Sequence, residues 1–151
     1  MKLTRTLFAL ALFGAAGMAH AAGNCTIALK GDDAMKFDLK EATVSASCAT
    51  VTIELVHTGK LPAAAMGHNV VITKTPDLAA LARDAIKAGA ANHYVPKDDA
   101  RVIAATHVIG GGEKTKITFS GKKLAAGGDY SFFCSFPGHS TLMKGKLVVT
   151  K

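Results

Sequence analysis

The feature that most constrains the fold of this chain is a series of short segments in which apolar and polar residues alternate. Val51, Ile53 and Leu55 alternate with polar neighbours in a stretch rich in β-branched side chains. Similar apolar or aromatic segments cover residues 69–74, 116–120, 130–134 and 146–150, and glycines punctuate the chain between them. A period of two predicts half-buried strands, and several short strands with glycine-rich turns predict an all-β sandwich or barrel.

One segment departs from this pattern and predicts a single helix inserted between strands. Thr75 can cap the helix, and Pro76 stands at the first helical position. Apolar residues then recur at helical spacing through Leu78, Leu81, Ala82, Ala85 and Ile86, and Gly89 follows where a helix commonly ends. The predicted helix covers residues 76–88.

The first 21 residues have the layout of a secretory signal peptide. Lys2 and Arg5 precede an apolar run from 7 to 19, and Ala19-His20-Ala21 forms an A-x-A cleavage signal. The run is shorter than the ~20 residues that a spanning helix needs. We therefore expect cleavage within one residue of Ala21 and export to the periplasm, with no membrane span.

The remaining residues, 22–151, have the length of one domain. The whole chain is basic, with a formal net charge of +7. Its lysines are not interleaved with aromatic residues, as base stacking requires, so no nucleic-acid partner is predicted. The lysines concerned are Lys114, Lys116, Lys122 and Lys123.

The chain has three cysteines, all after the signal peptide, so at most one disulfide can form within it. A bridge between Cys25 and Cys48 would close a loop of about two dozen residues and stabilise the fold by ~3 kcal/mol. Cys134 would then be unpaired. An odd cysteine in an exported protein is a reactive thiol, an intermolecular partner or a metal ligand.

The neighbourhood of Cys134 favours a metal ligand. His139 follows after four intervening residues and Met143 after three more, around a Pro137-Gly138 turn. A thiolate, an imidazole and a thioether suit copper better than calcium or magnesium. A trigonal copper site needs a second histidine, and His68, at the start of a predicted strand, is the best candidate.

Residues 66–69 (MGHN) and 134–143 (CSFPGHSTLM) together resemble the azurins, bacterial blue copper proteins of the cupredoxin superfamily. The four-residue spacing between Cys134 and His139 is specific, because plastocyanins and pseudoazurins have a shorter one. The resemblance covers almost all of the chain after the signal peptide. It also includes Cys25, Cys48 and segments 31–35, 98–104 and 112–114.

The resemblance implies an eight-stranded Greek-key β-barrel or sandwich with one helix outside it. It implies one type 1 copper ion with His68, Cys134 and His139 as strong equatorial ligands. Met143 would be the weak axial ligand, and the Gly67 carbonyl would lie opposite. The side chain of Asn69 would tie the His68 loop to the segment after Cys134, and backbone amides near Phe136 would hydrogen-bond the cysteine sulfur.

The resemblance further implies electron transfer between redox proteins rather than an enzymatic reaction. Partners such as c-type cytochromes or copper or quinoprotein oxidoreductases would dock transiently on a flat apolar patch around His139. That apolar patch consists of Met35, Leu61, Ala65, Met66, Phe136, Pro137 and Leu142.

Three alternatives remain at this point. A cysteine-dependent hydrolase or transferase would need an orienting Asn or Asp and an oxyanion hole. A copper storage or chaperone module would favour several Cys or Met ligands. Zinc also accepts Cys and His, and could fill the site during overexpression.

His57 has two interpretations, a satisfied core residue or a proton-linked tuner of the metal site. His93 and His107 are interpreted as solvated or satisfied residues.

Overall fold

The computed structural model describes residues 23–151, in which two β-sheets pack face to face. The predicted signal peptide, residues 1–21, lies outside the described residues. Residues 23–151 contain two α-helices, α1 (Ala63–Met66) and α2 (Leu78–Ala88). They also contain nine strands, β1 (Thr26–Asp32), β2 (Lys36–Phe37), β3 (Glu41–Ser45), β4 (Thr50–His57), β5 (Val71–Lys74), β6 (Ala104–Ala105), β7 (Lys114–Ser120), β8 (Tyr130–Phe133) and β9 (Lys144–Thr150).

The four-stranded sheet has the order β2-β1-β4-β7, and the five-stranded sheet has the order β3-β9-β8-β5-β6. The β1–β4 and β3–β9 pairs are parallel, whereas the other pairs are antiparallel. Because parallel neighbours cannot be joined by a tight hairpin, the chain crosses between the sheets. The predicted all-β fold is confirmed. Seven of the strands in residues 23–151 have four or more residues, and β2 and β6 are two-residue pairings at sheet edges.

The alternation in β4 shows how the sequence builds the core. Val51, Ile53, Leu55 and His57 are buried, while the residues between them are half-buried or exposed. The buried side chains join one cluster that spans both sheets and includes Phe132 of β8. Each fully buried side chain of this size contributes roughly 1.5–3 kcal/mol, so the cluster is the main source of stability.

The helix α2 lies outside the sandwich, as predicted, but it begins two residues later than expected. Residues 75–77 form a 3-10 turn, and the Thr75 hydroxyl lies 2.9 Å from Ser131 Oγ, with no side-chain cap on the helix. The sequence pattern assigned the Thr75 hydroxyl to the N-cap of the helix. This hydroxyl instead pairs with Ser131 in β8. Gly89 follows the helix with a φ of +72°, a conformation that favours glycine.

Cys25 and Cys48 form a disulfide with a Cα–Cα distance of 5.6 Å. The bridge lies next to the first residues of β1 and β4, whereas β4 ends at His57 at the other end of the sandwich. The bridge therefore belongs to the scaffold, far from the residues of the predicted metal site. Cys134 is free and buried.

We expect alkylation of the metal-free, unfolded protein without reductant to label one thiol. A Cys25→Ser/Cys48→Ser variant should lose about 3 kcal/mol of the free energy of unfolding, because the denatured chain gains entropy. Its copper-loaded visible spectrum should match that of the wild type. Mass spectrometry and denaturant titration check both results, and labelling of three thiols would contradict the bridge.

Candidate metal centre

Three buried side chains from distant parts of the chain converge at one end of the sandwich. The ligand atoms of His68, Cys134 and His139 all lie within 4.8 Å of one another. Cys134 Sγ lies 3.7 Å from His139 Nδ1. This is the cluster of metal-ligating side chains that the sequence predicted from two separate segments.

Residues 134–143, hereafter the ligand loop, connect β8 to β9. The Cys134 amide donates to the Met143 carbonyl at 2.9 Å, so the two ends of the loop are paired. The Met143 amide donates to the His139 carbonyl at 2.8 Å, which holds the middle of the loop against its end. Gly138 has a φ of +81°, which permits the turn before His139. The spacing of Cys134, His139 and Met143 is therefore that of one closed loop between adjacent antiparallel strands.

His68 enters the site from the segment just before β5 and is fixed by its backbone and its ring. Its amide and carbonyl bond reciprocally to Ile109, at 3.0 and 2.9 Å. Its Nε2 lies 2.9 Å from the Asp32 carbonyl, and its Nδ1 lies 2.9 Å from the Gly67 carbonyl. Sequence reasoning missed the contact with Asp32, because a backbone carbonyl leaves no side-chain signal.

The protonation of His68 favours a metal ion at Nδ1. Burial lowers the pKa of His68, so the ring is held neutral with a single proton. When Nε2 donates that proton to the Asp32 carbonyl, Nδ1 and the Gly67 carbonyl face each other as two acceptors. Two facing acceptors repel each other, and a cation bound between them removes that repulsion. A neutral imidazole is also a copper or zinc ligand.

Two glycines allow the site to pack closely. A Cβ at Gly31 would lie 2.8 Å from His68 Cδ2 and 3.3 Å from Met143 Cε, so the thioether end of Met143 lies beside the His68 ring. A Cβ at Gly67 would lie 2.5 Å from the Ala63 carbonyl. The Gly67 carbonyl is 3.9 Å from Cys134 Sγ. Gly67 and Met143 therefore both adjoin the cluster of three ligand atoms.

Asn69 links the two segments that carry the ligands. Its Oδ1 accepts from the Ser135 amide at 2.9 Å, and its Nδ2 donates to Ser135 Oγ at 2.8 Å. The same Nδ2 donates to the His93 carbonyl at 3.0 Å. Ser135 directly follows Cys134, and Asn69 directly follows His68. These bonds therefore fix the position of Cys134 relative to His68.

Burial sets the protonation of the site before metal binds. Burial raises the pKa of the Cys134 thiol to about 11, although the amides of Asn69 and Phe136 act in the opposite direction. Burial and the nearby His68 and His57 rings lower the pKa of His139 to about 4. Near neutral pH and without metal, Cys134 is therefore a protonated thiol, and His68 and His139 are neutral imidazoles.

Metal uptake at pH 7 should therefore release about one proton per ion, because the thiol must ionise to bind. The release should fall as the pH approaches 11, where the thiol ionises before metal binds. It should rise as the pH approaches 4, where His139 becomes protonated and must lose that proton to bind metal. Calorimetry with Zn²⁺, which does not oxidise the thiol, in buffers of different ionisation enthalpy measures the number. The Cys134→Ser variant is the control, and equal proton release from both proteins at pH 7 would contradict the assignment.

His57 lies against the metal site with both ring nitrogens satisfied. Its Nε2 donates to the Met66 carbonyl at 2.9 Å, and its Nδ1 accepts from the Gly59 amide at 3.0 Å. The ring stacks on His68 with centroids 4.2 Å apart. Of the two interpretations of His57, this geometry supports the satisfied core residue, because each ring nitrogen has a backbone partner.

His93 and His107 lie outside the ligand cluster and stack on each other with centroids 4.3 Å apart. His93 Nδ1 accepts from the Val108 amide at 3.2 Å, so this ring is satisfied. The neighbouring Tyr94 packs edge-on against Phe136 with centroids 5.2 Å apart. Sequence reasoning missed this support for the ligand loop, because it involves two non-glycine residues with positive φ, His93 and Tyr94.

The predicted apolar patch is accessible to different degrees around the site. Leu142 is 53% and Leu61 42% exposed, and Ala65 is also exposed. The other members, Met35, Met66, Phe136 and Pro137, are half-buried. Phe136 packs against His139 with ring centroids 4.7 Å apart.

Comparison with known proteins agrees with this geometry. The family model for copper binding proteins of the plastocyanin/azurin family matches residues 23–150. The chain belongs to this family. Azurin of Bordetella pertussis is 50% identical over 143 residues, which are 95% of this chain and 95% of that protein. Azurin-1 of Alcaligenes xylosoxydans xylosoxydans is 56% identical over 123 residues, covering 82% of this chain and 95% of the relative.

A solved azurin structure, Az-iso2 from Methylomonas sp. strain J, superposes with a TM-score of 0.80 at 39% identity. The match covers 84% of this chain and 98% of that one. The cupredoxin fold and the resemblance to azurins are thus confirmed. The family and the donor set together support blue copper electron transfer on one type 1 copper ion. None of the helices in residues 23–151 is both long and apolar enough to span a membrane.

Proposed function

We propose that this azurin-family chain carries single electrons between redox proteins in the periplasm. His68, Cys134 and His139 would hold the copper ion as its strong ligands. Met143 would be a weaker ligand, and the Gly67 carbonyl would be a more distant contact. The observation that carries the proposal is the convergence of the three donor atoms within 4.8 Å in a buried position.

Copper, when bound, supplies the Cu(I)/Cu(II) couple. The chain supplies a donor set that is already assembled and buried, so a change of oxidation state requires little movement. Asn69 holds the two ligand-bearing segments together through Ser135. The amides of Asn69 and Phe136 stabilise negative charge on the Cys134 sulfur, which supports its binding as a thiolate.

Redox partners dock on the apolar patch, and the electron leaves through His139. The support for this route is the contact between His139 and Phe136, a member of the patch. Transient electron-transfer complexes use small interfaces, which release quickly after the electron has moved. c-type cytochromes and copper or quinoprotein oxidoreductases are the proposed partner classes.

Residues 1–21 act as the signal peptide that exports the protein, and residues 22–151 form the single exported domain. The disulfide between Cys25 and Cys48 supports an oxidising compartment.

The chain transforms no substrate and is therefore a carrier rather than an enzyme. A cysteine hydrolase is disfavoured by the burial of Cys134 and by the raised pKa of its thiol, because the nucleophile would be a thiolate open to substrate.

The test is stopped-flow mixing of the copper(I)-loaded protein with an oxidised c-type cytochrome. We expect each chain to give up one electron, with the cytochrome reduced in step with the appearance of the blue colour. Zinc-loaded protein is the control, since zinc has no accessible couple and should transfer nothing. A copper-loaded protein that transfers no electrons would contradict the proposal.

A further inference from the structure

A groove runs beside the ligand loop, between this loop and the helix α2. It has a volume of about 310 Å³. On the helix side it is lined by Arg83 and Ile86, and on the loop side by Ser140, Thr141 and Lys144. Ser140 and Thr141 directly follow His139, so the groove adjoins the proposed electron exit.

The charge of the groove has one sign. Arg83 and Lys144 are exposed and are the two charged side chains among its described lining residues, which include no carboxylate. The nearby carboxylate of Asp84 is engaged elsewhere, with Lys87 Nζ at 3.1 Å and Arg101 Nη2 at 2.9 Å. Positive charge in the groove is therefore not neutralised from the helix.

The groove is also flanked by apolar surface. Ile86 is 54% and Leu142 53% exposed, the two highest values among the large apolar residues of 23–151. Lys40 Nζ donates to the Leu142 carbonyl at 3.2 Å, which adds a cation on that side of the patch. Ile86 and Leu142 thus extend the apolar patch toward a rim that carries Arg83, Lys144 and Lys40.

We propose that a redox partner protein places a carboxylate-bearing segment in this groove while its apolar face covers the patch. This inference rests on the proposed function and adds the chemistry of the partner, which is acidic on the side that meets α2. Neither Arg83 nor Lys144 forms an ion pair with another residue of 23–151, so the two cations favour a partner's carboxylates. The recess between α2 and the ligand loop favours a protruding protein segment over a planar lipid surface. Complementary charge of this kind accelerates association and fixes orientation, which here brings the partner over His139.

The test compares two double variants with the same charge change. Arg83→Glu/Lys144→Glu reverses the groove, and Lys122→Glu/Lys151→Glu changes exposed residues elsewhere on the surface. The probe is an acidic c-type cytochrome mixed with the copper-loaded proteins at several salt concentrations. At low salt the groove variant should transfer electrons about tenfold more slowly than the wild type and should lose most of the salt dependence. The control variant should change by less than about threefold, because its charges lie away from the docking face.

All four substituted residues are exposed, so each variant should retain its copper site. Visible spectra check this. Equal slowing by both double variants would overturn the inference, because net charge alone would then explain the rates. Met66→Lys in the middle of the patch separates the two proposals. If it slows transfer and the groove variant does not, the groove is overturned and the docking patch stands; if neither slows transfer, both are overturned.

Cosedimentation with phosphatidylglycerol vesicles provides the last comparison. Vesicle binding that depends on Arg83 and Lys144, with unchanged transfer rates, would assign the groove to a lipid surface and overturn the protein-partner proposal. Slower transfer to the acidic cytochrome, with no groove-dependent vesicle binding, supports it.

Discussion

Cys134→Ser should abolish the blue colour of the copper-loaded protein. The thiolate is the source of the intense charge-transfer absorption, and no other free cysteine is present in residues 23–151 to replace it. The serine hydroxyl is a harder ligand that does not ionise at neutral pH, so copper affinity should also fall. Visible spectroscopy after addition of one equivalent of Cu(II) measures the first effect, and competition with a chelator measures the second.

Met143→Leu is the matched variant at the other end of the ligand loop. It should keep the blue absorption and raise the reduction potential, because the weak thioether donor to Cu(II) is lost. A leucine of similar volume keeps the buried position filled. A Cys134→Ser protein that remains blue would show that the thiolate ligand is wrongly assigned.

Met66→Lys should slow electron self-exchange and transfer from a cytochrome by about 100-fold or more. Met66 is half-buried within the apolar patch, and its carbonyl accepts the His57 bond through the backbone, which the substitution leaves in place. An unpaired charge in a desolvated interface costs several kcal/mol, and every ~1.4 kcal/mol is a factor of ten. The blue spectrum and the reduction potential should stay nearly unchanged, since the metal ligands are not altered.

Stopped flow measures the transfer from the cytochrome, and NMR line broadening in mixtures of Cu(I) and Cu(II) protein measures self-exchange. Two control variants accompany these measurements. Met66→Leu keeps the patch apolar, and Lys122→Glu changes a charge at an exposed position in the turn after β7. Both should exchange electrons at close to the wild-type rate. Wild-type rates in Met66→Lys would mean that the patch is not the docking face and that the electron leaves by another route.

The strands were predictable where apolar residues alternate along the chain in the same way as buried positions alternate in the folded strand. The segments predicted from 51–55, 69–74, 116–120, 130–134 and 146–150 all contain strands. The pattern did not single out β1 or β3. In β1 the inward position at Gly31 carries no side chain, although Ile27 and Leu29 alternate as expected. The start of α2 was wrong by two residues because Ser131, distant in sequence, meets the Thr75 hydroxyl.

The candidate site was predictable to the extent that its side chains have unusual chemistry and spacing. Cys134, His139 and Met143 lie in one loop, so their convergence could be inferred from ten residues. The Asp32 carbonyl beside His68 and the closeness of Gly31 to Met143 depend on how β1 packs against the site. The basic groove depends on where α2 lies outside the sandwich. No local pattern carries that information.

The most direct test of the whole account is a Cu(II) titration of the metal-free protein followed by a potentiometric titration. One equivalent of Cu(II) should produce an intense blue absorption that is complete at a 1:1 ratio. Reduction by one electron per copper should bleach the colour, and reoxidation should restore it fully. Colourless copper binding, or a blue species that does not cycle reversibly with one electron, would contradict a type 1 copper carrier.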